Sequence, residues 1–513
     1  MLLFGLWILI QLPPVQNWMA HYATNWLSKE LKTRVEVKHI SFTLFNHVNL
    51  EGLYIQDLEK DTLLYGGQLQ LDITDWFFRK DSADIKYLSL NNAVIHLHRD
   101  TDSVWNYQFI ADYFSGSSKP EQKSSNGSKG IALHLKILNL NNILLLQKDG
   151  YKGKTTTLRI GALNLKANQI NLQEKYFDVA ELNMHKFSYK EQAYKGKRNY
   201  EDSVRQVNDP NSKDFPYNPG NIQLHVSQLN IKDGFLEFRG RNVAPVTAGT
   251  FNSRDIVIDH INGIYNNVNW NHDTLTAHVD FSARLNEYFP VKNLKADYTF
   301  HPNSMEFKNL QVQLNESKLS HYFLMQFNSM QDFEDFENKV RLTADLSNTE
   351  INTNDIAFFA PQLKNKNQRA NITGYISGTI SNLNTKSIQI RSGGTNIIGS
   401  MSMIGLPQSD KIFIDFNTNG STIQLSDVAV WAPALYRLNM PLRQALNTVQ
   451  FRGQYKGLIN NFIVKGNIIT SQGSLATNLK MQLDGLGSYE GRIVANQLNL
   501  GRLLGINDLG STS

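Results

Sequence analysis

The 513-residue chain has no cysteine. Disulfides, thiolate catalysis and cysteine-based zinc sites are therefore excluded. Charge is sparse as well. Asp, Glu, Lys and Arg make up 19% of the residues, and 51 basic against 46 acidic side chains leave a formal charge of +5. No long Lys/Arg run occurs, which argues against a nucleic acid partner. The motifs of common enzyme chemistry are missing: there is no HExxH, GxSxG, P-loop or GxGxxG. Asp57, Glu59 and Asp61 lack the Gly and distal Glu of a calcium loop and read as a turn. His96 and His98 lie two apart on one strand face and read as surface residues. "RSGGTNIIG" (391–399) reads as a hairpin turn rather than a phosphate cradle. No catalytic residue, metal or cofactor is assigned, and the chain reads as a non-enzyme.

What the sequence does have is alternation. In "LTAHVDFSARL" (275–285), Leu275, Ala277, Val279, Phe281, Ala283 and Leu285 point one way and polar residues the other. A period of two predicts a strand with one apolar and one wet face. Val340, Leu342, Ala344 and Leu346 repeat the pattern. So do Ile372, Gly374, Ile376, Gly378 and Ile380, and Leu475, Thr477, Leu479, Met481 and Leu483. Clean alternation predicts antiparallel sheet with one solvated face. A second sheet, a curl of the same sheet or a non-protein apolar ligand would each cover the apolar side. Periodicity alone does not choose among them.

Internal repetition organises the chain. "LSLNNAVIHLH" (88–98), "LNLNNILLLQK" (138–148) and "LNIKDGFLEFR" (229–239) share an alternating strand, a polar pair and a second apolar strand. Each is either a hairpin or a bulged strand. Later, "DIAFFAPQL" (355–363) recurs as "DVAVWAPAL" (427–435). Downstream, Gly374 and Gly378 align with Gly453 and Gly457, and Gly399 with Gly473. Glycine repeated at one register predicts a sheet that bends the same way each time. Two polar stretches, 115–130 and 190–220, read as loops. Short helices are expected near 354–363 and 427–446.

At the N-terminus, Leu2, Leu3, Phe4, Leu6, Trp7, Ile8, Leu9 and Ile10 form an apolar run. It is short of the ~20 residues of a spanning helix. The run reads as the last half of a transmembrane helix whose start lies upstream, so a fragment or truncated gene is expected. Beyond Pro13-Pro14, Val15, Trp18, Met19, Tyr22 and Trp26, extended by Leu27 and Leu31, predict an amphipathic helix over 15–34. Its Trp and Tyr residues suit a membrane interface. A cap over the first strands is the other reading, and both can hold.

Residues 11–65, "QLPPVQNWMAHYATNWLSKELKTRVEVKHISFTLFNHVNLEGLYIQDLEKDTLLY", resemble the N-terminus of TamB proteins of the AsmA-like superfamily, in the form found in Bacteroidota. "ISGTISNL", "IIGSMSMIGLP" and "VANQLNLGRLLG" look like that family's β-repeat units. The resemblance implies a mostly β fold: an elongated, curved antiparallel β-groove built as a repeating half-pipe, behind an anchor helix and an amphipathic helix. It implies a partial transmembrane anchor over 1–14, the amphipathic helix over 15–34, a first groove segment over 35–347 and groove repeats over 348–513. The setting it implies is a single-pass inner-membrane protein with a periplasmic body. The function would be a conduit moving phospholipid between inner and outer membranes, with an outer-membrane barrel protein as a possible partner. The lining would be Leu275, Ala277, Val279, Phe281, Ala283, Leu285, Val340, Leu342, Leu346, Ile372, Ile376, Ile380, Leu475, Leu479, Met481 and Leu483. The alternatives are an assembly factor for outer-membrane β-barrels acting by strand addition, and a structural β protein with a dry core.

Overall fold

The computed structural model describes residues 12–43, 47–75, 82–100, 104–115, 130–132, 135–171, 174–197, 215, 217–218, 220–241, 243, 249–407, 411–430, 440–482, 488–499 and 501–502. The chain divides into two units, residues 1–245 with 254–287, and residues 246–253 with 288–513. Both are mostly β.

The first unit opens with helix α1 (Pro13–Glu30). Its strands are β1 (Val35–Glu36), β2 (His39–Thr43), β3 (His47–Gln56), β4 (Thr62–Asp75), β5 (Ser82–Arg99), β6 (Gly130–Ala132), β7 (Ile137–Asp149), β8 (Lys154–Asn171), β9 (Tyr176–Ala193), β10 (Gln223–Arg239), β11 (Asp255–Asn271) and β12 (Thr274–Leu285), with helix α2 (Gln108–Ser115) between β5 and β6. From β3 onward, sheet neighbours follow chain order, with β6 and β7 both beside β5. Most pairs are antiparallel, as alternation predicts. β5 pairs parallel with β6 and β7, and β9 with β10. This corrects the all-antiparallel expectation. The connections at 100–136 and 194–222 are long enough to cross over and return in the same direction, which no tight hairpin can do.

The three polar-pair repeats are bulged strands, not hairpins. Asn92, Asn142 and Asp233 lie inside β5, β7 and β10 with φ of 54°, 53° and 58°. Asn and Asp tolerate this left-handed region better than other residues with a Cβ. Lys186 in β9 and His260 in β11 share it. The consequence is a skipped beat in the alternation. Flanking residues on the apolar face stand three apart: Leu90 and Ala93, Leu140 and Ile143, Leu163 and Ile160, Met184 and Phe187. An ordinary bulge sets two residues against one. Here facing strands both carry the extra residue, so register is kept on either side. Gly161 faces Asn142 and Lys186 at this level, and a Cβ there would stand 2.8 Å from the Lys186 Cβ. Asn142 Nδ2 donates to Asn92 Oδ1 at 2.8 Å, and Asn141 Nδ2 to Asn91 Oδ1 at 2.8 Å.

The second unit contains β13 (Phe289–His301), β14 (Ser304–Gln313), β15 (Lys318–Gln326), β16 (Arg341–Asp345), β17 (Thr349–Asn352), β18 (Arg369–Thr379), β19 (Asn382–Ser392), β20 (Thr395–Ile404), β21 (Phe413–Gln424), β22 (Thr448–Leu458), β23 (Asn461–Thr470), β24 (Gly473–Gln482) and β25 (Ser488–Asn496). Its pairings are antiparallel. Short helices interrupt it: α3 (Phe336–Lys339), α4 (Thr353–Ile356), α5 (Leu425–Ala429) and α6 (Met440–Ala445). The helical repeat is tied down in one way both times. The Asp355 carboxylate accepts the N–H of Glu316 at 2.9 Å, and the Asp427 carboxylate accepts the N–H of Thr395 at 2.9 Å. The Gly393-Gly394 pair turns β19 into β20.

Several boundaries differ from the sequence reading. The helix expected over 15–34 ends at Glu30, because Lys32 turns left-handed and the Ser28 hydroxyl binds both the N–H and the carbonyl of Val35. Residues 190–193 belong to β9, and α2 reaches Ser115, so both expected loops begin late. The helix expected over 354–363 is one turn of α-helix, Thr353–Ile356, with a 3-10 turn at Pro361–Leu363. Leu346 and Ile380 follow the ends of β16 and β18 instead of lying within them. The expected anchor residues 2–10 lie outside the described residues. Among the described residues no helix is long and apolar enough to cross a membrane.

Candidate apolar binding face

Residues directly opposite on neighbouring strands share a face. In the first unit this joins the apolar residues into rows that cross the strands. One row runs Leu50, Leu69, Leu90, Leu140, Leu163, Met184, Ile231, Gly263, Phe281. The next runs Val48, Leu71, Leu88, Leu138, Leu165, Leu182, Leu229, Tyr265, Val279 through the same pairings. A third, from Ile55 and Leu64 to Ile258 and Leu285, lies beyond the skipped beat. Between them sits the most deeply buried row, with Ala93 1%, Ile143 6% and Ile160 7% exposed. Leu90, Ile95, Leu140, Leu158 and Leu163 lean over it.

The opposite face is polar. Gln70, Ser89, Asn139, Asn164, Asn183 and Asn230 stand side by side. Their amides join in pairs across the strands: Asn164 Nδ2 donates to Asn139 at 2.9 Å and Asn230 Nδ2 to Asn183 at 2.7 Å. Asn suits this wall because an amide offers both a donor and an acceptor to the next strand.

The second unit repeats the plan. Met305, Met325, Leu342, Gly378, Leu383, Met403, Ile414, Gly457, Phe462, Met481 and Tyr489 form a row of direct neighbours. Beside it run Tyr298, Phe307, Phe323, Ala344 and Ile376, and farther along Met401, Phe416, Tyr455, Val464 and Leu479. The glycines aligned by the repeat occupy equivalent rows: Gly378 and Gly457 in the first, Gly374 and Gly453 in a third. Gly473, aligned with Gly399, instead opens β24 beside its turn.

The described lining residues that lie within strands fall on these faces, whereas Val340, Leu346 and Ile380 lie just beyond strand ends. Leu275 opposes Trp270, Val279 opposes Tyr265 and Leu285 opposes Ile258. Ile372 opposes Ile390, Leu475 opposes Ile468 and Leu479 opposes Val464. Leu483 lies outside the described residues. Val279, Ala283 and Val340 are buried. Leu275, Ala277, Phe281, Leu285, Leu342, Ile372, Ile376, Leu475, Leu479 and Met481 are only half-buried. A facing layer of side chains would bury such residues fully. Here each keeps part of its surface accessible.

The face is apolar enough to shift titrations. Burial pushes the phenols of Tyr265 and Tyr298 up to about 12 and raises that of Tyr455. Aromatic neighbours stack between adjacent rows, Tyr265 on Phe281 at 5.8 Å and Tyr455 on Phe462 at 4.8 Å. Among the described residues no group of His, Asp or Glu is arranged to hold a metal ion. Asp57 fixes the β3–β4 turn through the N–H groups of Glu59 and Asp61 at 3.0 and 2.9 Å, and His98 lies 3.4 Å from Glu59.

Sequence reading found the apolar residues and offered the bulged strand as one of two readings of each polar pair, but it missed the amide pairs of the opposite face. The signal for the bulge was the polar pair at one position in each of three strands. No protein-family model matches the chain, and no curated protein is significantly similar to it.

Proposed function

We propose that the chain is a non-enzymatic lipid conduit of the TamB type, with its apolar rows as a surface for phospholipid acyl chains between inner and outer membranes. The observation that carries this reading is the half-buried state of a continuous apolar face. A patch of more than a few hundred Å² is rarely left open without an occupant. Each CH₂ removed from water contributes ~0.8 kcal/mol. Rows of methyl and phenyl groups at ~4.8 Å strand spacing offer an acyl chain a nearly uniform surface, so it shifts from one strand to the next at little cost. On this reading the aligned left-handed residues bend such a face into a trough, with its buried row as the floor. On this reading the body lies in the periplasm behind a single-pass inner-membrane anchor.

The test is mass spectrometry of lipid extracted from the full chain purified without delipidation. Phospholipid is expected in the wild type and absent from Phe281→Arg, whose circular dichroism stays that of the wild type. A lipid-free wild type, or a Phe281→Arg chain that unfolds because charge has entered a dry core, rules the conduit out. The exposed strand β25, paired among the described residues only with β24, supports a second reading, strand addition to outer-membrane β-barrel clients. Client peptides in place of lipid would favour it.

A further inference from the structure

Helix α1 turns its large aromatics outward. At 100° per residue, Trp18, Tyr22 and Trp26 lie along one edge of it. They are 65%, 67% and 50% exposed, and the rings of Trp18 and Tyr22 stack at 5.9 Å. The opposite edge carries Gln16, Thr24 and Leu31, all buried, with Leu27 half-buried beside them. A helix that only caps a sheet turns its large aromatics inward instead of leaving them in water. The helix is also fixed in place. The Val35 N–H donates to the Ser28 hydroxyl at 3.0 Å, and the Thr33 hydroxyl donates to the carbonyl of Asp57 at 2.9 Å.

We propose that α1 is a membrane-surface foot, with its Trp18–Tyr22–Trp26 edge in the headgroup layer of a bilayer and the first strands of the apolar face held against that layer. The proposal rests on the lipid reading and adds to it the place where lipid enters. Two observations select a bilayer over a protein partner. The exposed cations Lys29, Lys32 and Lys38 follow the aromatic edge, which is the arrangement that suits anionic headgroups. The residues just upstream, 2–10, are apolar in sequence. Trp and Tyr favour the interface because each has an apolar body and a polar tip. Since Ser28 and Leu31 hold the helix to β1, seating the aromatics also sets the angle at which β1 to β3 meet the membrane.

The test uses the full chain carrying Trp7→Phe, so that Trp7 does not report, with vesicles of phosphatidylcholine and anionic phosphatidylglycerol whose acyl chains are brominated. Part of the tryptophan emission is expected to be quenched, and that part is expected to vanish when Trp18→Phe and Trp26→Phe are added. Trp18→Ser, Tyr22→Ser and Trp26→Ser together are expected to weaken vesicle binding about tenfold or more and to leave the circular dichroism unchanged. Emission from Trp18 and Trp26 that escapes brominated lipid and stays open to iodide in the presence of vesicles overturns the foot. The lipid content of the purified chain separates the two proposals. Quenching with no co-purified lipid upholds the foot and sinks the conduit, whereas co-purified lipid without quenching does the opposite.

Discussion

Gly453 and Gly466 face each other across β22 and β23 so closely that neither has room for a side chain. A Cβ on Gly453 would stand 2.1 Å from the Lys465 carbonyl oxygen, and one on Gly466 would stand 2.1 Å from that of Arg452. Their φ values, 150° and 146°, lie where residues with a Cβ are strained. Gly453→Ala is therefore expected to cost about 2–4 kcal/mol, combining backbone strain with overpacking. Hydrogen exchange should speed up first in β22 and β23, because strands in a repeated array open locally. Wild-type protection in those strands would mean that the close approach of the two glycines is not what limits side-chain size there.

The crease in the first unit makes a paired prediction. Asn142→Ala loses both the hydrogen bond to Asn92 and the tolerance of Asn for a left-handed backbone, and is expected to cost about 1–2 kcal/mol. Asn142→Gly keeps the backbone and should recover most of that loss. Thermal midpoints of the three proteins check the order.

Arg99 and Asp149 form a two-pronged ion pair at 2.8 and 2.7 Å, with Arg99 between the rings of Trp105 and Tyr151. Burial alone would push the Asp149 carboxyl up. The hydrogen bonds from Arg99 and the Lys152 N–H outweigh burial and hold it below the usual carboxylate range. A carboxyl lowered by folding contributes stability above its unfolded value, ~3.9. That contribution is lost as the pH falls through the folded value. Asp149→Asn is expected to cost about 3 kcal/mol at neutral pH by leaving Arg99 unpaired, and to flatten the acid limb of the stability profile. An unchanged acid limb would mean that other carboxylates account for it.

Tyr265 and Tyr298 give an alkaline readout of the apolar face. With both phenols pushed up to about 12 by burial, they should remain neutral while exposed tyrosines ionise near ~10. The unfolded chain ionises first, so stability falls between those two values. Ultraviolet titration of Tyr265→Phe against wild type should remove absorbance change only from the late phase.

Strand character was legible wherever the period of two ran unbroken. "LTAHVDFSARL" is β12, and its apolar set lies on one face, as alternation requires. The glycines at repeated register were legible too, since a missing side chain is a fact of sequence. The parallel pairings were not. Direction depends on what a long connection does, and residues 100–136 and 194–222 carry no signal of crossing over. The skipped beat in β5, β7 and β10 was legible only as one of two alternatives, because Asn-Asn and Asp-Gly serve turns and bulges equally well. Only the partner strand, bulged at the same level, distinguishes the two. Helix α2 was missed because its apolar residues, in "QFIADYFS", span scarcely two turns.

The sequence by itself determined that this protein is built of strands with one apolar face, that it has no cysteine chemistry, and that its second part repeats. Each of these follows from the order of side chains along a backbone that alternates or turns locally. Tertiary structure decided which apolar residues become neighbours, how the amides of the opposite wall join, and that α1 turns its aromatics outward. Those outcomes depend on register between strands tens of residues apart, where a slip of one position would exchange the two faces.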